Sequence, residues 1–164
     1  MKKLVYTPFL SFMMLFASDA SANIRFKIEA QTDLFDVRKQ IEYCESKKSK
    51  HKIFKLNNAQ WDICQAKKQT KIITINYKKE EMKYTESYVL RHGKLVYAFE
   101  EQLDDREGYE WIWNCRYAIV DEKEAEVLSS LGHGKTEDDN WNPNEIIGMY
   151  KKRMEQMRRL GVEK

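Results

Sequence analysis

The segment GHGKT, at residues 132–136, ends in the Gly-Lys-Thr triplet with which phosphate-binding loops hold nucleotides. The full pattern also needs a glycine five positions before Gly134, where this chain has Ser129. It further needs a helix directly after the threonine, whereas three acidic residues follow, and their charge opposes phosphate. We therefore predict no nucleotide site here.

The same loop continues through three acidic residues to residue 142, and such long loops often carry function. Carboxylates are the ligands that Ca²⁺ prefers, but the alternating spacing of a calcium loop is absent, so we predict no metal. A solvated loop that docks the last helix is the simpler interpretation. The candidate binding residues of this loop are His133, Lys135, Glu137, Asp138, Asp139 and Trp141.

The three cysteines allow at most one internal disulfide, and the chain has no grouped histidines and cysteines that would predict zinc. We favour Cys44–Cys64, because both lie in the predicted N-terminal helical section. Pairs of either residue with Cys115 remain open. Cys115 otherwise falls on an apolar strand face, where a thiol is expected to be inert. No catalytic set and no cofactor motif emerges, so a non-enzymatic role is favoured, although distant residues can converge in a fold.

The first 22 residues have the pattern of a cleaved export signal. Lys2 and Lys3 precede an apolar run, and Ala20-Ser21-Ala22 is the small-residue pattern that signal peptidase accepts. The run is shorter than the ~20 apolar residues that span a bilayer, so no stable membrane anchor is expected. We predict a periplasmic or secreted protein with one domain over residues 23–164.

Charge is segregated along the chain. Residues 23–83 carry 15 basic and 8 acidic side chains, whereas residues 84–150 carry 6 and 15. Acidic side chains repel phosphate, so a nucleic-acid partner is not expected. Acidic segments at 100–107, 121–126 and 137–139 would instead attract a basic protein partner.

The hydrophobic pattern predicts an α+β fold. Leu34, Val37, Ile41 and Cys44 follow helical spacing, and a turn with a short helix is expected at residues 54–65. From residue 70 the period changes to two, which predicts an antiparallel meander of four or five strands. The predicted strands are 71–77, 82–91, 94–101, 110–120 and 125–131, with His92-Gly93 as a tight turn.

A C-terminal helix is predicted to begin after Asn142 as its N-cap and to pack on the sheet. Its apolar side contains Ile146, Ile147, Tyr150, Met154 and Met157. Arg153 is assigned to the basic, solvated side of this helix, together with Lys151, Lys152, Arg158 and Arg159.

Strand alternation places most aromatic residues on one face, which we expect to be the core. This face is predicted to contain Tyr84, Tyr88, Leu90, Leu95, Tyr97, Phe99, Tyr109, Trp111, Trp113, Cys115, Tyr117 and Ile119. Glu86 interrupts it and, if buried, is a candidate pocket carboxylate, although a glutamate that reaches water is the ordinary interpretation.

Two functions are consistent with these observations. The first is an exported binding protein whose acidic loops contact a basic partner, for instance as an inhibitor or a protective protein. The alternative is a small ligand-binding protein or enzyme with a pocket beside Glu86. A cavity next to Glu86 would favour the alternative.

Overall fold

The computed structural model describes residues 34–46, 49–104, 106, 112–159 and 161. The chain divides into two compact units, residues 1–36 and 37–164. Only residues 34–36 of the first unit are described, and they are helical. The described strands and the C-terminal helix all belong to the second unit. The predicted signal peptide lies outside the described residues, and the domain span 23–164 stays a prediction.

Seven antiparallel strands form one sheet in which each strand pairs with its neighbours in sequence. The strands are β1 (His51–Leu56), β2 (Ala59–Gln65), β3 (Thr70–Lys79), β4 (Met82–Arg91), β5 (Lys94–Asp104), β6 (Trp113–Val120) and β7 (Glu124–Gly132). Helix α1 covers residues 34–45 and α2 covers Glu145–Arg159. The expected antiparallel meander between two helices is present, but it has seven strands instead of four or five.

The two additional strands come from a segment for which we expected a turn and a short helix. β1 and β2 form a hairpin around Asn57 and Asn58, whose φ angles are 49° and 62°. Two positive φ angles give the turn a twist that matches that of the strands, and asparagine tolerates this conformation better than most residues. The same geometry occurs at the predicted His92-Gly93 turn, where φ is 51° and 79°.

A β-bulge changes which residues of β5 face the core. Leu90 pairs with Leu95, but the preceding Val89 pairs with Tyr97, so β5 contains one additional residue, Val96. From that point the faces of β5 are exchanged relative to strict alternation. Tyr97 and Phe99 therefore do not lie on the predicted aromatic face, and alternate residues from Ala98 onward take their place.

Helix α2 packs on this sheet face and completes the main core. Its Ile146, Ile147, Met154 and Met157 are buried with residues of six strands, as its spacing predicted. The described core residues of the sheet include Trp61, Ile73, Ile75, Tyr88, Leu90, Ala98, Trp113, Cys115, Tyr117 and Ile119. Two residues of the predicted face, Tyr109 and Trp111, lie outside the described residues.

The start of α2 is fixed to β7. The helix covers Glu145–Arg159, and Asn142 has the bonds of an N-cap, because its backbone carbonyl accepts the N–H of Glu145 at 3.0 Å. Asn142 Oδ1 accepts a hydrogen bond from the backbone N–H of Asn144 at 3.0 Å. Asn144 Oδ1 in turn accepts the N–H of Ala125 at 2.7 Å. These bonds set where the helix crosses the sheet.

The opposite sheet face carries helix α1. A Cys44–Cys64 disulfide, with Cα atoms 6.0 Å apart, joins α1 to β2 and confirms the predicted pairing. Gln40 Oε1 also accepts the backbone N–H of Lys67 at 3.0 Å. Cys115 is a free, buried thiol on the α2 side, and burial raises its pKa, so it is poorly suited to nucleophilic attack.

Candidate functional site

Two buried carboxylates lie side by side on the face that α2 covers. Glu86 of β4 and Glu100 of β5 are direct partners across the strand pair, and they are 1% and 6% exposed. Glu86 was a candidate pocket residue from the sequence, whereas Glu100 was predicted only as part of the acidic segment 100–107. Without the bulge at Val96, alternation would place Glu100 on the other face.

Glu86 is surrounded by donors. Arg153 of α2 donates from Nη2 to Oε1 at 2.6 Å and from Nε to Oε2 at 2.8 Å. The hydroxyl of Tyr88 donates to Oε2 at 2.8 Å, and the nearby Tyr77 hydroxyl contributes to lowering the pKa of the same carboxylate. A carboxylate accepts about four hydrogen bonds, so these three bonds use most of its capacity. The solvated position predicted for Arg153 is therefore wrong.

The protonation states of this cluster follow from its contacts. Burial alone would raise the pKa of Glu86, but the Arg153 guanidinium and the two tyrosine hydroxyls bring it below its ordinary value. Burial, together with the Glu86 charge, raises the pKa of Tyr88. Glu86 is therefore a carboxylate and Tyr88 a neutral donor near pH 7. A carboxyl with a lowered pKa is poorly suited to general-acid catalysis at that pH.

Glu100 has fewer partners. The hydroxyl of Tyr117 donates to its Oε1 at 2.5 Å, and Nζ of Lys135 donates to its Oε2 at 2.6 Å. These two bonds leave about half of the carboxylate's acceptor capacity unused by described residues. The Lys135 side chain is 38% exposed, in contrast to 21% for Arg153. The Glu100–Lys135 pair is thus closer to solvent.

A pocket of about 190 Å³ lies over this second pair. It is lined by residues that include Tyr84, Glu86, Glu100, Gln102, Trp113 and Lys135. Tyr84, Gln102 and Trp113 occupy one row across β4, β5 and β6. Gln102 is the smallest of the three, and the two aromatic residues are two strand spacings apart, about 10 Å. The pocket therefore lies above Gln102.

The wall formed by Tyr84 is reinforced from β3. Tyr77 and Tyr84 are cross-strand partners whose rings stack with centroids 5.0 Å apart and planes within 9°. Stacking covers the face of the Tyr84 ring that points toward β3. The pocket extends over β5 from this wall, and Tyr77 and Lys79 of β3 also line it. Both tyrosines are half-buried, so the wall is rigid but accessible.

Lys135 reaches the pocket because Gly134 passes closely over Trp113. A Cβ at Gly134 would lie 2.4 Å from Cγ of Trp113, nearer than real atoms approach. Trp113 Nε1 donates to Thr136 Oγ1 at 3.1 Å, and the Lys135 Nζ lies 5.7 Å from the Trp113 ring centroid. In the GHGKT segment, Gly134 and Thr136 therefore have packing roles, and Lys135 contacts the carboxylate of Glu100.

The other predicted loop residues do not join the pocket lining. His133 Nδ1 lies 2.6 Å from Glu137 Oε1, and Asp138 Oδ1 accepts the backbone N–H of Asn140 at 2.9 Å. Trp141 packs against Tyr117 with ring centroids 6.4 Å apart. Asp139 is exposed. Only Glu86 and Lys135 of the predicted binding residues line the pocket.

The predicted acidic segments are spread over the fold. Asp104 ends β5 beside the first residues of β6, whereas Asp121 directly follows the last residue of β6. The eight residues of β6 separate these positions by about 25 Å. Asp104 and Asp121, one from each of the segments 100–107 and 121–126, therefore lie near opposite ends of β6.

A Ser-His-Asp contact chain, which no sequence motif predicted, lies at the end of α1. His51 contacts Ser49 Oγ through Nε2 at 2.8 Å and Asp62 Oδ1 through Nδ1 at 2.7 Å. Nε2 also lies 2.9 Å from the carbonyl oxygen of Cys44, which only accepts, so this nitrogen carries a proton. The Asp62 hydrogen bond raises the pKa of His51. The cluster caps the helix and is not arranged as a nucleophile with a free base.

In the part of the chain that the structure describes, no three histidine, cysteine or acidic side chains are grouped to hold a metal ion. None of the described helices has the length and apolar character needed to cross a bilayer. Comparisons with protein families, with curated proteins and with solved structures found no match.

Proposed function

We propose that this chain is an exported, non-enzymatic protein that binds a small ligand in the pocket over Glu100 and Lys135. The observation that carries the proposal is the hydrogen-bonding capacity that described residues leave unused on this pair, beside a cavity. A buried ion pair whose only role is to join two elements is more stable when its hydrogen-bonding groups are all paired. The two bonds between Glu86 and Arg153 bring that pair close to this state.

The lining gives the pocket the character of a binding site. An aromatic wall, an amide and a paired carboxylate and ammonium lie around one space, and such a mixture of apolar area with few polar groups is typical of ligand pockets. The volume is below the ~300 Å³ at which pockets for drug-sized ligands begin, which favours a small ligand.

Export is supported by two independent features. Residues 1–22 have the pattern of a cleaved signal, and the Cys44–Cys64 disulfide is consistent with an oxidising compartment. The attraction of acidic loops to a basic protein partner stays a prediction. Because Asp104 and Asp121 lie near opposite ends of β6, the simplest form of this prediction uses residues 137–139 alone.

The proposal is tested by titrating the ¹⁵N-labelled protein with a library of small polar compounds. Bound compounds should shift the amide signals of Tyr84, Gln102 and Lys135 as one group. The variant Gln102→Trp, which fills the pocket, should abolish these shifts. Gln60→Trp is the matched control, because Gln60 is exposed on β2, and it should leave them intact.

Two results would contradict the proposal. One is that no compound shifts these three amides. The other is that the shifts persist in Gln102→Trp, which would place the ligand elsewhere. A circular-dichroism melt of each variant establishes that it is folded before the comparison is made.

A further inference from the structure

We infer that the ligand of this pocket is an uncharged polyhydroxyl ring of the size of one monosaccharide. The inference rests on the proposed function, since it names the ligand class of the same pocket. Three properties of the lining carry it: the arrangement of charge, the hydrogen-bonding groups that remain available, and the shape of the space.

The charge around the pocket comes from two close ion pairs and from two further lining side chains of opposite sign, Lys79 and Glu101. Nζ of Lys135 lies 2.6 Å from Glu100, and the Arg153 guanidinium lies 2.6 Å from Glu86. An anionic ligand that approaches Lys135 meets the Glu100 carboxylate, and a cationic ligand that approaches Glu100 meets the Lys135 ammonium. A full charge on the ligand would have to break a pair that is at least partly buried, which is unfavourable. A neutral ligand leaves both pairs intact.

The side chains around the pocket provide both hydrogen-bond donors and hydrogen-bond acceptors. Described residues leave acceptor sites on both oxygens of Glu100, and Lys135 has a further N–H donor beyond its bonds to Glu100 and to Met149 Sδ. The Gln102 amide adds one acceptor and two donors at the floor. A hydroxyl group both donates and accepts, so several hydroxyls on one ring can satisfy this set. An amine or a carboxylate would satisfy only half of it.

The shape of the space favours a ring. Tyr84 and Trp113 are about 10 Å apart across Gln102, and the Tyr84 ring is held in place by Tyr77. The apolar C–H face of a sugar ring can pack on the Tyr84 ring while its hydroxyls point to Glu100 and Gln102. The volume of about 190 Å³ is a little larger than the ~150 Å³ cavity that holds one benzene ring, which suits one ring and excludes an oligosaccharide from the enclosed part.

The test uses three ligands that share one ring and differ in charge. Glucose is neutral, glucosamine is cationic and glucuronate is anionic at pH 7; galactose, mannose and N-acetylglucosamine extend the neutral set. Each is titrated into the ¹⁵N-labelled protein. At least one neutral sugar should shift the amides of Tyr84, Gln102 and Lys135. The charged form of its ring should bind about tenfold or more weakly.

Two variants separate the pocket from the rest of the surface. Gln102→Leu keeps the side-chain size and removes the amide, and it should weaken binding of the neutral sugar about tenfold or more. Gln60→Leu is the same change at an exposed position on β2 and should leave the affinity unchanged.

The outcomes distinguish the ligand class from the pocket itself. If a charged sugar binds as tightly as its neutral counterpart or more tightly, or if only a non-sugar compound from the polar library shifts the pocket amides, the inferred class is wrong and the proposed function stands. If no compound of either set shifts these amides, both are wrong. Equal affinities of the Gln102→Leu and Gln60→Leu variants for a neutral sugar would also overturn the inference.

Discussion

Glu86 and Glu100 are neighbours on adjacent strands, and each accepts a tyrosine hydroxyl and binds one cation, yet their surroundings differ. Glu86 takes two bonds from an arginine on α2 and is 1% exposed. Glu100 takes one bond from a lysine on a loop and lies at the pocket. A planar guanidinium fixes a carboxylate with two bonds, whereas an ammonium binds as a point charge and leaves acceptor sites available.

This difference indicates that the Glu86–Arg153 pair stabilises the fold, whereas the Glu100–Lys135 pair is available to bind a ligand. Arg153 joins the last helix to the centre of the sheet, and every partner of Glu86 is provided by the chain. Lys135 joins a loop to the edge of the same core and leaves part of Glu100 unsatisfied by described residues. We therefore expect substitutions of the first pair to change stability and substitutions of the second to change binding.

The largest effect should come from Arg153→Met. It removes the cation and leaves Glu86 buried with only tyrosine hydroxyls as partners, which should lower the free energy of unfolding by about 3–5 kcal/mol. The matched control is Arg158→Met on the same helix, where the arginine is 73% exposed and pairs with Glu155. That change should cost less than about 1 kcal/mol. Urea denaturation measures both, and equal losses would refute the distinction.

The pH dependence of the unfolding free energy should also depend on Glu86. Its pKa is lowered in the folded protein, so its stabilising contribution is present above about pH 4.5 and is lost as the pH falls through the folded-state value. Glu86→Gln removes this titration. The difference in unfolding free energy between the wild type and Glu86→Gln should therefore shrink between pH 7 and pH 3.

Glu126→Gln, at an exposed position of β7, is the control for the acid response. Its difference from the wild type should stay nearly constant over the same range. Urea denaturation at several pH values measures all three proteins. A difference between the wild type and Glu86→Gln that does not change with pH would show that Glu86 is not held as a charged group by Arg153.

Much of this fold follows from periodic patterns that a sequence displays directly. β3 to β7 alternate with period two, and the apolar residues of α2 follow helical spacing, so these elements were predicted. The β1–β2 hairpin was missed because its turn, Asn57-Asn58, lacks the glycine that usually marks such turns. Its flanking strands are also too short to establish a period firmly.

The pocket was less predictable, because it depends on a single additional residue. Val96 bulges from β5 and exchanges the faces of the residues that follow, and this brings Glu100 and Gln102 to the α2 side. Nothing in the local sequence marks that bulge. Glu86 could be found as a charge within an aromatic stripe, but Arg153 could not be assigned to it. Long-range pairing of this kind depends on where the helix crosses the sheet.

The smallest effect on stability, and the sharpest on function, should come from Lys135→Met. The lysine is 38% exposed, and the buried Glu100 keeps its bond from Tyr117, so the unfolding free energy should fall by about 1–2 kcal/mol, less than for Arg153→Met. Methionine retains the length of the side chain above Trp113 but removes the ammonium donors at the pocket. Binding of any compound that shifts the Gln102 amide should weaken about tenfold, because a charge-assisted hydrogen bond is lost.

The control variant Lys152→Met, on the exposed side of α2, should change neither the unfolding free energy nor the affinity. If Lys135→Met destabilises as strongly as Arg153→Met and leaves binding unchanged, the two carboxylates have the same structural role and the pocket over Glu100 is not the binding site.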